Sequence, residues 1–190
     1  MPAPSPPSSA EALADAGHAF AHERKWTEAI AAFERALTQD PNLGLACGAL
    51  GFCYEKTERF ADAVEAYSKA AELLPDSLAL AFNLGNVLRA EGRLAQAEAS
   101  YRKALVLDPS HVLSLCNLGL TLHALGRHDE AIACYGRALE IRPDYAEAIN
   151  NLGSAYVAKN QIGTALEAYR APTTRASRST RAWRTSLRAT

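Results

Sequence analysis

The sequence is short of the residues that staple small folds together. It holds four cysteines in 190 residues, Cys47, Cys53, Cys116 and Cys134, none in a CxxC pair and none at finger spacing from a histidine. That argues against a disulfide-dense scaffold and a zinc finger, and reads the four as small buried apolar residues in a reducing compartment. No uninterrupted apolar run approaches the roughly 18 residues of a membrane span. The opening MPAPSPPSS has neither a basic nor an apolar segment, so it is not read as a secretory signal; the cytoplasm is the default expectation. Residues 1–9 read instead as a disordered, extended Pro/Ser leader. There is no P-loop, no GxGxxG after a strand and no HExxH. His18 and His22 lie one helical turn apart but have no third ligand in view, so no metal is expected. No nucleophile, base and orienter come together in the pattern, so no catalytic residue and no cofactor is assigned. The carboxylates Glu28, Glu34, Asp62, Glu65, Glu98, Asp129 and Glu130 read as a solvated face.

Charge is scarce overall and unevenly placed. The net charge is −1, yet residues 171–190 hold five arginines and no acid, which leaves residues 1–170 with 15 basic against 21 acidic residues. The body is mildly acidic and the tail basic.

What the chain does have is a repeat. Prolines fall at Pro41, Pro75, Pro109 and Pro143, each 34 residues after the last. Glycines keep the same interval at Gly17, Gly51, Gly85, Gly119 and Gly153. Alanines do so at Ala29, Ala63, Ala97, Ala131 and Ala165, and aromatics at Phe33, Tyr67, Tyr101, Tyr135 and Tyr169. A second alanine column runs Ala36, Ala70, Ala104, Ala138. Within a repeat the spacing is helical: Ala81, Leu84, Gly85 and Leu88 share one face, and Leu94, Ala97, Tyr101, Ala104 and Leu105 share another. Gly92, Gly126 and Asn160 are placed to end the first helix; Arg24 and Glu58 take that position less ideally in the first two repeats. Each second helix should stop before its proline. Asn42, Asp76, Ser110 and Asp144 are candidates to cap the helix that follows. The small columns are expected where helices approach closely, with the aromatic filling the space between.

These columns resemble the tetratricopeptide repeat, whose signature is W-x2-L-G-x2-Y, then A-x3-F, then P. The second repeat carries it as Leu50-Gly51-x2-Tyr54, Ala63-x3-Tyr67, Ala70 and Pro75. Its tryptophan position is occupied here by Leu13, Cys47, Ala81, Leu115 and Ile149. The resemblance covers residues 10–170 as repeats 10–43, 44–77, 78–111, 112–145 and 146–170. It implies an all-α α-solenoid, a right-handed superhelix of antiparallel helix pairs, about five repeats with the last incomplete. It also implies a protein-binding scaffold rather than an enzyme, with a protein or peptide as partner and no small-molecule cofactor.

Helix geometry places positions 2, 6, 9 and 13 of each repeat opposite the core, on the face that would line a groove. They read Glu11, Asp15, His18, His22; Leu45, Ala49, Phe52, Lys56; Ala79, Asn83, Asn86, Ala90; Leu113, Asn117, Leu120, Ala124; and Glu147, Asn151, Ser154, Ala158. Asn83, Asn117 and Asn151 form a column. Each amide offers an acceptor and two donor hydrogens, which suits a peptide backbone. Phe52 and Leu120 add apolar area, with Leu45 and Leu113 beside them. Arg89 and His123 stand at the edge. The candidate peptide-binding set is therefore Asn83, Asn86, Asn117, Asn151, Phe52, Leu120 and Arg89; a purely local hydrogen-bonding role for the asparagines stays open. The ladder resembles that of the repeat superhelix in protein O-linked N-acetylglucosamine transferases, where the asparagines grip substrate peptides. Asp15 and Ala49 break it in the first two repeats. A substrate-recruiting segment of a larger glycosyltransferase is therefore the alternative function. A carboxylate clamp for acidic C-termini is disfavoured, since Lys56 and Arg89 are its only cations and Glu11 and Asp15 have the wrong sign.

Residues 171–190 leave the register, with Pro172 where alanine is expected, so the last helix should end near Arg170. Three readings compete. The tail is a basic arm for nucleic acid or an anionic surface, a makeshift cap carrying Trp183 and Leu187, or the product of a frameshift or truncation. The abrupt loss of register favours the last, and no motif for specific nucleic-acid recognition accompanies the arginines.

Overall fold

A computed structural model describes residues 8–170, so the leader through Pro7 and the tail from Ala171 lie outside the described residues. Among the described residues ten helices follow one another: α1 Ser9–His22, α2 Trp26–Gln39, α3 Gly44–Lys56, α4 Phe60–Leu73, α5 Leu78–Ala90, α6 Leu94–Leu107, α7 Val112–Ala124, α8 His128–Ile141, α9 Ala146–Ala158 and α10 Ile162–Arg170. No strand occurs among the described residues. The fold is an all-α solenoid of helical hairpins. The chain divides into two compact units, Met1–Gln96 and Ala97–Thr190.

In the first unit α1 packs on α2, α2 on α3, α3 on α4 and α4 on α5, while α1 also touches α3. The second repeats the pattern: α7 on α8, α8 on α9, α9 on α10, with α7 touching α9. The columns explain the packing. Ala29, Phe33 and Ala36 of α2 are fully buried, and so are Ala63 and Ala70 of α4, with Tyr67 between them. In the second unit Ala131, Tyr135 and Ala138 of α8 take the same places. Gly17, Gly51, Gly119 and Gly153 each face the aromatic of their own hairpin. A methyl group at Gly17 would stand 2.7 Å from Phe33 Cε1, and one at Gly51 2.9 Å from Tyr67 Cδ1.

The turns within hairpins share one construction. Arg24, Glu58, Gly92, Gly126 and Asn160 all adopt positive φ, between 59° and 77°. The next residue's N–H then reaches back over the helix end, as Arg59 N–H does to the Tyr54 carbonyl (2.9 Å) and Arg127 N–H to that of Leu122 (2.9 Å). This left-handed closure satisfies carbonyls the helix leaves unpaired. The turns between hairpins are set by proline. Asp40, Leu74 and Arg142, each preceding a proline, leave the helical region with φ of −136°, −128° and −131°.

The N-termini differ from the sequence expectation by one residue. The caps are Leu43, Ser77, His111 and Tyr145 rather than their predecessors, because the residue after each proline is still in the turn. Ser77 Oγ accepts from Leu80 N–H (3.4 Å) and His111 Nδ1 from Ser114 N–H (3.3 Å). Ser8 and Ser9, expected in the leader, belong to the start of α1. Ser8 caps α1 and Ser9 opens it: Glu11 N–H donates to Ser8 Oγ, and Ser8 N–H to the Glu11 carboxylate. Helix α10 is described through Arg170; Pro172, Trp183, Leu187 and the five tail arginines lie outside the described residues.

Candidate functional site

The first compact unit carries a cleft of about 320 Å3 bounded by α3, α4 and α5. Leu45, Gly48 and Phe52 of α3 line it with Tyr67 of α4, Leu80 of α5 and Asn83. Leu45 is 75% exposed and Phe52 39%, large apolar side chains that the core does not use. Phe52 is held at its edge by the Trp26 ring, 5.9 Å away at 77°. On its face lies the Lys56 ammonium, 4.8 Å from the ring centroid. Lys56 also stands 3.7 Å from Glu55, whose other oxygen accepts from the Tyr67 hydroxyl (3.2 Å).

Asn83 is half-buried, and its side chain interacts with the Tyr67 hydroxyl. Burial pushes that phenol far above its ordinary value, Glu55 adds to the rise and Asn83 opposes it. Asn83 thus has a local partner as well as a place in the cleft wall. The sequence carries a matching correlation: Phe33, which has no hydroxyl, is followed 16 residues on by Ala49, whereas Tyr67 is followed by Asn83.

The second unit carries its own part of the column. Asn117 and Leu120 of α7 and Asn151 of α9 are half-buried, and Leu113 is 42% exposed. The Thr121 hydroxyl, fully buried, donates to the Asn117 carbonyl (2.7 Å) and leaves the Asn117 side chain outside that bond. The Nδ2 of Asn151 is buried and finds no hydrogen-bond partner among the described residues. Asn86 of α5 is half-buried, and Arg89 is exposed in the last turn of the same helix. Of the seven residues singled out from sequence, Phe52 and Asn83 share one cleft; Asn117, Leu120 and Asn151 belong to the other unit.

Sequence reasoning missed two glycines of the cleft wall, against which Leu74 and Leu80 pack closely. Gly44 and Gly48 lie one turn apart in α3, where the other repeats carry larger residues. Two glycines inside a helix are costly in propensity, and that cost was the available signal. Trp26 and Leu80 had none. A second cleft of about 310 Å3 lies among Leu37, Leu50 and Tyr54, with Asp62, Glu65 and Lys69 at its wall.

The thiols are held in their neutral form. All four cysteines are buried and free. Burial pushes Cys53 and Cys134 up to about 11 and Cys116 to about 12, which keeps them as thiols. His123 and His128 face each other with Nδ1 atoms 3.1 Å apart, and His123 is pushed down by burial and by its neighbour. No three of His, Cys, Asp or Glu converge as metal ligands among the described residues, and no described helix is long and apolar enough to cross a membrane. Five of the carboxylates expected to be merely solvated are engaged, Asp62 by Arg59, Asp129 by Lys159 and Glu130 by Arg127 among them. Glu34 accepts from the Tyr54 hydroxyl at 2.6 Å, and Glu98 from Arg127 at 2.6 Å.

Comparison with known proteins agrees with this geometry. A search of curated proteins finds no match. Many solved structures share the fold. A crystal structure of MamA superposes with a TM-score of 0.83 at 24% identity, covering 86% of this chain and 89% of that one. A second MamA structure gives 0.80 at 25% identity, over 83% and 92%. YrrB, a TPR protein with an unusual peptide-binding site, gives 0.77 at 24% identity, over 82% and 80%. Family profiles described as tetratricopeptide repeat and TPR repeat match residues 20–79, and residues 85–126 and 119–160. With the 34-residue columns, the left-handed turns and the glycine–aromatic contacts in place, the chain belongs to the tetratricopeptide repeat family.

Proposed function

We propose that this chain is a protein-interaction scaffold that holds an extended peptide against the first helices of its hairpins. One observation carries the reading. Leu45 and Phe52, exposed and apolar, converge with the Asn83 amide on an open cleft, an arrangement that helix stability does not require. Large apolar groups left in water on a concave face mark binding surfaces. The asparagines suit a backbone because each amide matches a peptide's own donor and acceptor. Asn117 and Asn151 repeat the amide on the second unit. The scaffold reading also explains why the thiols are kept neutral: nothing in the fold prepares them to react.

The test is selection from a displayed library of unstructured twelve-residue peptides on the full chain, repeated on a variant with Asn83, Asn117 and Asn151 changed to alanine. Capture by the native chain and loss in the variant, with helical circular dichroism unchanged, supports the reading. Equal capture by both chains refutes the role given to the asparagines.

A further inference from the structure

Repeat two differs from the others at the positions that face its cleft. Positions 1 and 5 are Gly44 and Gly48; the corresponding residues elsewhere are Ala10 and Ala14, Leu78 and Phe82, Val112 and Cys116, Ala146 and Asn150. Positions 2 and 9 are Leu45 and Phe52. Helix α3 therefore removes two side chains and exposes two large apolar ones, and all four residues line the same cleft of about 320 Å3. Glycine is not needed here for backbone conformation, since neither residue has positive φ. A Cβ at Gly48 would meet Leu80 Cδ2 at 2.9 Å, so a side chain there would press on the Leu80 wall of the cleft.

Charge is arranged as deliberately. The groove positions of α3 and α5 are Leu45, Ala49, Phe52, Lys56, Ala79, Asn83, Asn86 and Ala90, with no acid among them. Lys56 stands at the rim with its ammonium over the Phe52 ring, and its side chain is 42% exposed. Glu55 offsets it only in part, at 3.7 Å and with one oxygen already taken by Tyr67.

We propose that this cleft is the anchor site of the scaffold: it takes one leucine- or phenylalanine-sized side chain of an extended peptide, with an acidic residue close to that anchor meeting Lys56. The apolar side chain fills the space between Leu45, Phe52 and Leu80. Asn83, beside the Tyr67 hydroxyl, takes the adjoining backbone amide. The inference rests on the peptide-binding reading above and adds the chemistry of the ligand to it.

The experiment uses the same peptide library on the full chain, on Phe52→Ala and on Lys56→Glu, each shown by circular dichroism to be folded. Peptides enriched on the native chain should carry a large apolar residue with Asp or Glu within three positions. Phe52→Ala should weaken a selected peptide by about tenfold or more, as loss of a buried anchor does. Lys56→Glu should exchange the acidic preference for a basic one. Selected peptides that bind without an apolar anchor, or that leave the NMR signals of Leu45, Gly48 and Phe52 unmoved, overturn the anchor while the scaffold stands. A library that yields no binder overturns both.

Discussion

Gly119 of α7 lies flat against the ring of Tyr135 in α8, so that a methyl group in place of its hydrogen would stand 2.5 Å from Cε1. Tyr135 is 1% exposed and has nowhere to withdraw. Gly119→Ala should therefore cost about 1–3 kcal/mol by overpacking, although alanine is the better helix former. Urea unfolding followed by circular dichroism measures it. Gly163, with nothing within 4 Å of the same position, is the control and should show no such loss.

The hairpin turns make the opposite prediction. Glu58 holds φ of 59° where later repeats place Gly92 and Gly126. A side chain in the left-handed region costs about 1–2 kcal/mol relative to glycine. Glu58→Gly should raise the unfolding midpoint and Gly126→Val should lower it. Equal midpoints for all three chains would remove the left-handed turn as a source of stability.

Alkaline pH should loosen the fold through its buried thiols. Burial raises Cys53 and Cys134 to about 11 and Cys116 to about 12, from an ordinary 9.0. The fold holds the neutral thiol, so this stabilisation is complete below pH 9 and is lost as pH rises toward 11. Tyr54, raised to about 12 first by burial and then by its bond to Glu34, extends the loss above pH 10. The melting temperature should fall between pH 9 and 11, and replacing Cys116 and Cys134 with alanine should flatten that slope. An unchanged slope in the double variant would contradict the thiol origin.

Glu98 of α6 stands where other repeats bury Ile30, Val64 and Ile132. Its carboxylate is held by Arg127 (2.6 Å) and by Arg102 (2.9 Å), and Glu130 completes the group. Only 15% of the Glu98 side chain is exposed. Removing Arg127, 39% exposed, leaves the half-buried Glu98 carboxylate with Arg102 alone, whereas an apolar replacement of Glu98 leaves no buried charge behind. Arg127→Ala should therefore lower the unfolding midpoint more than Glu98→Ile does. The reverse order in thermal unfolding would show that packing around Glu98 has no room for a branched side chain.

The fold was legible because its signal is repeated. Ala63, Tyr67 and Ala70 could be placed in the core from one repeat and checked against the others. The turns at Arg24 and Glu58 were located by register although neither residue is glycine. Capping was misplaced by one residue, because the chain needs Asn42 or Ser110 to finish the proline turn before the next helix can start. The carboxylates were misjudged because Glu34 and Glu98 find partners 20 and 29 residues away, on other helices. Spacing along one helix does not contain that distance. Helix periodicity put Leu45, Phe52 and Asn83 on one face of their repeats, and all three line the cleft. The cleft itself was not legible, since its walls depend on Leu74 and Leu80 packing directly against Gly44 and Gly48.

Contacts between a bound peptide and the asparagine side chains are the most direct measurement. With an isotope-labelled chain and a library-selected peptide, nuclear Overhauser contacts should join the peptide backbone to the side-chain amides of Asn83, Asn117 and Asn151. Contacts confined instead to second-helix residues around Glu65, Lys103 and Glu140, with all three amides unchanged, would contradict the proposal that the asparagines hold the partner.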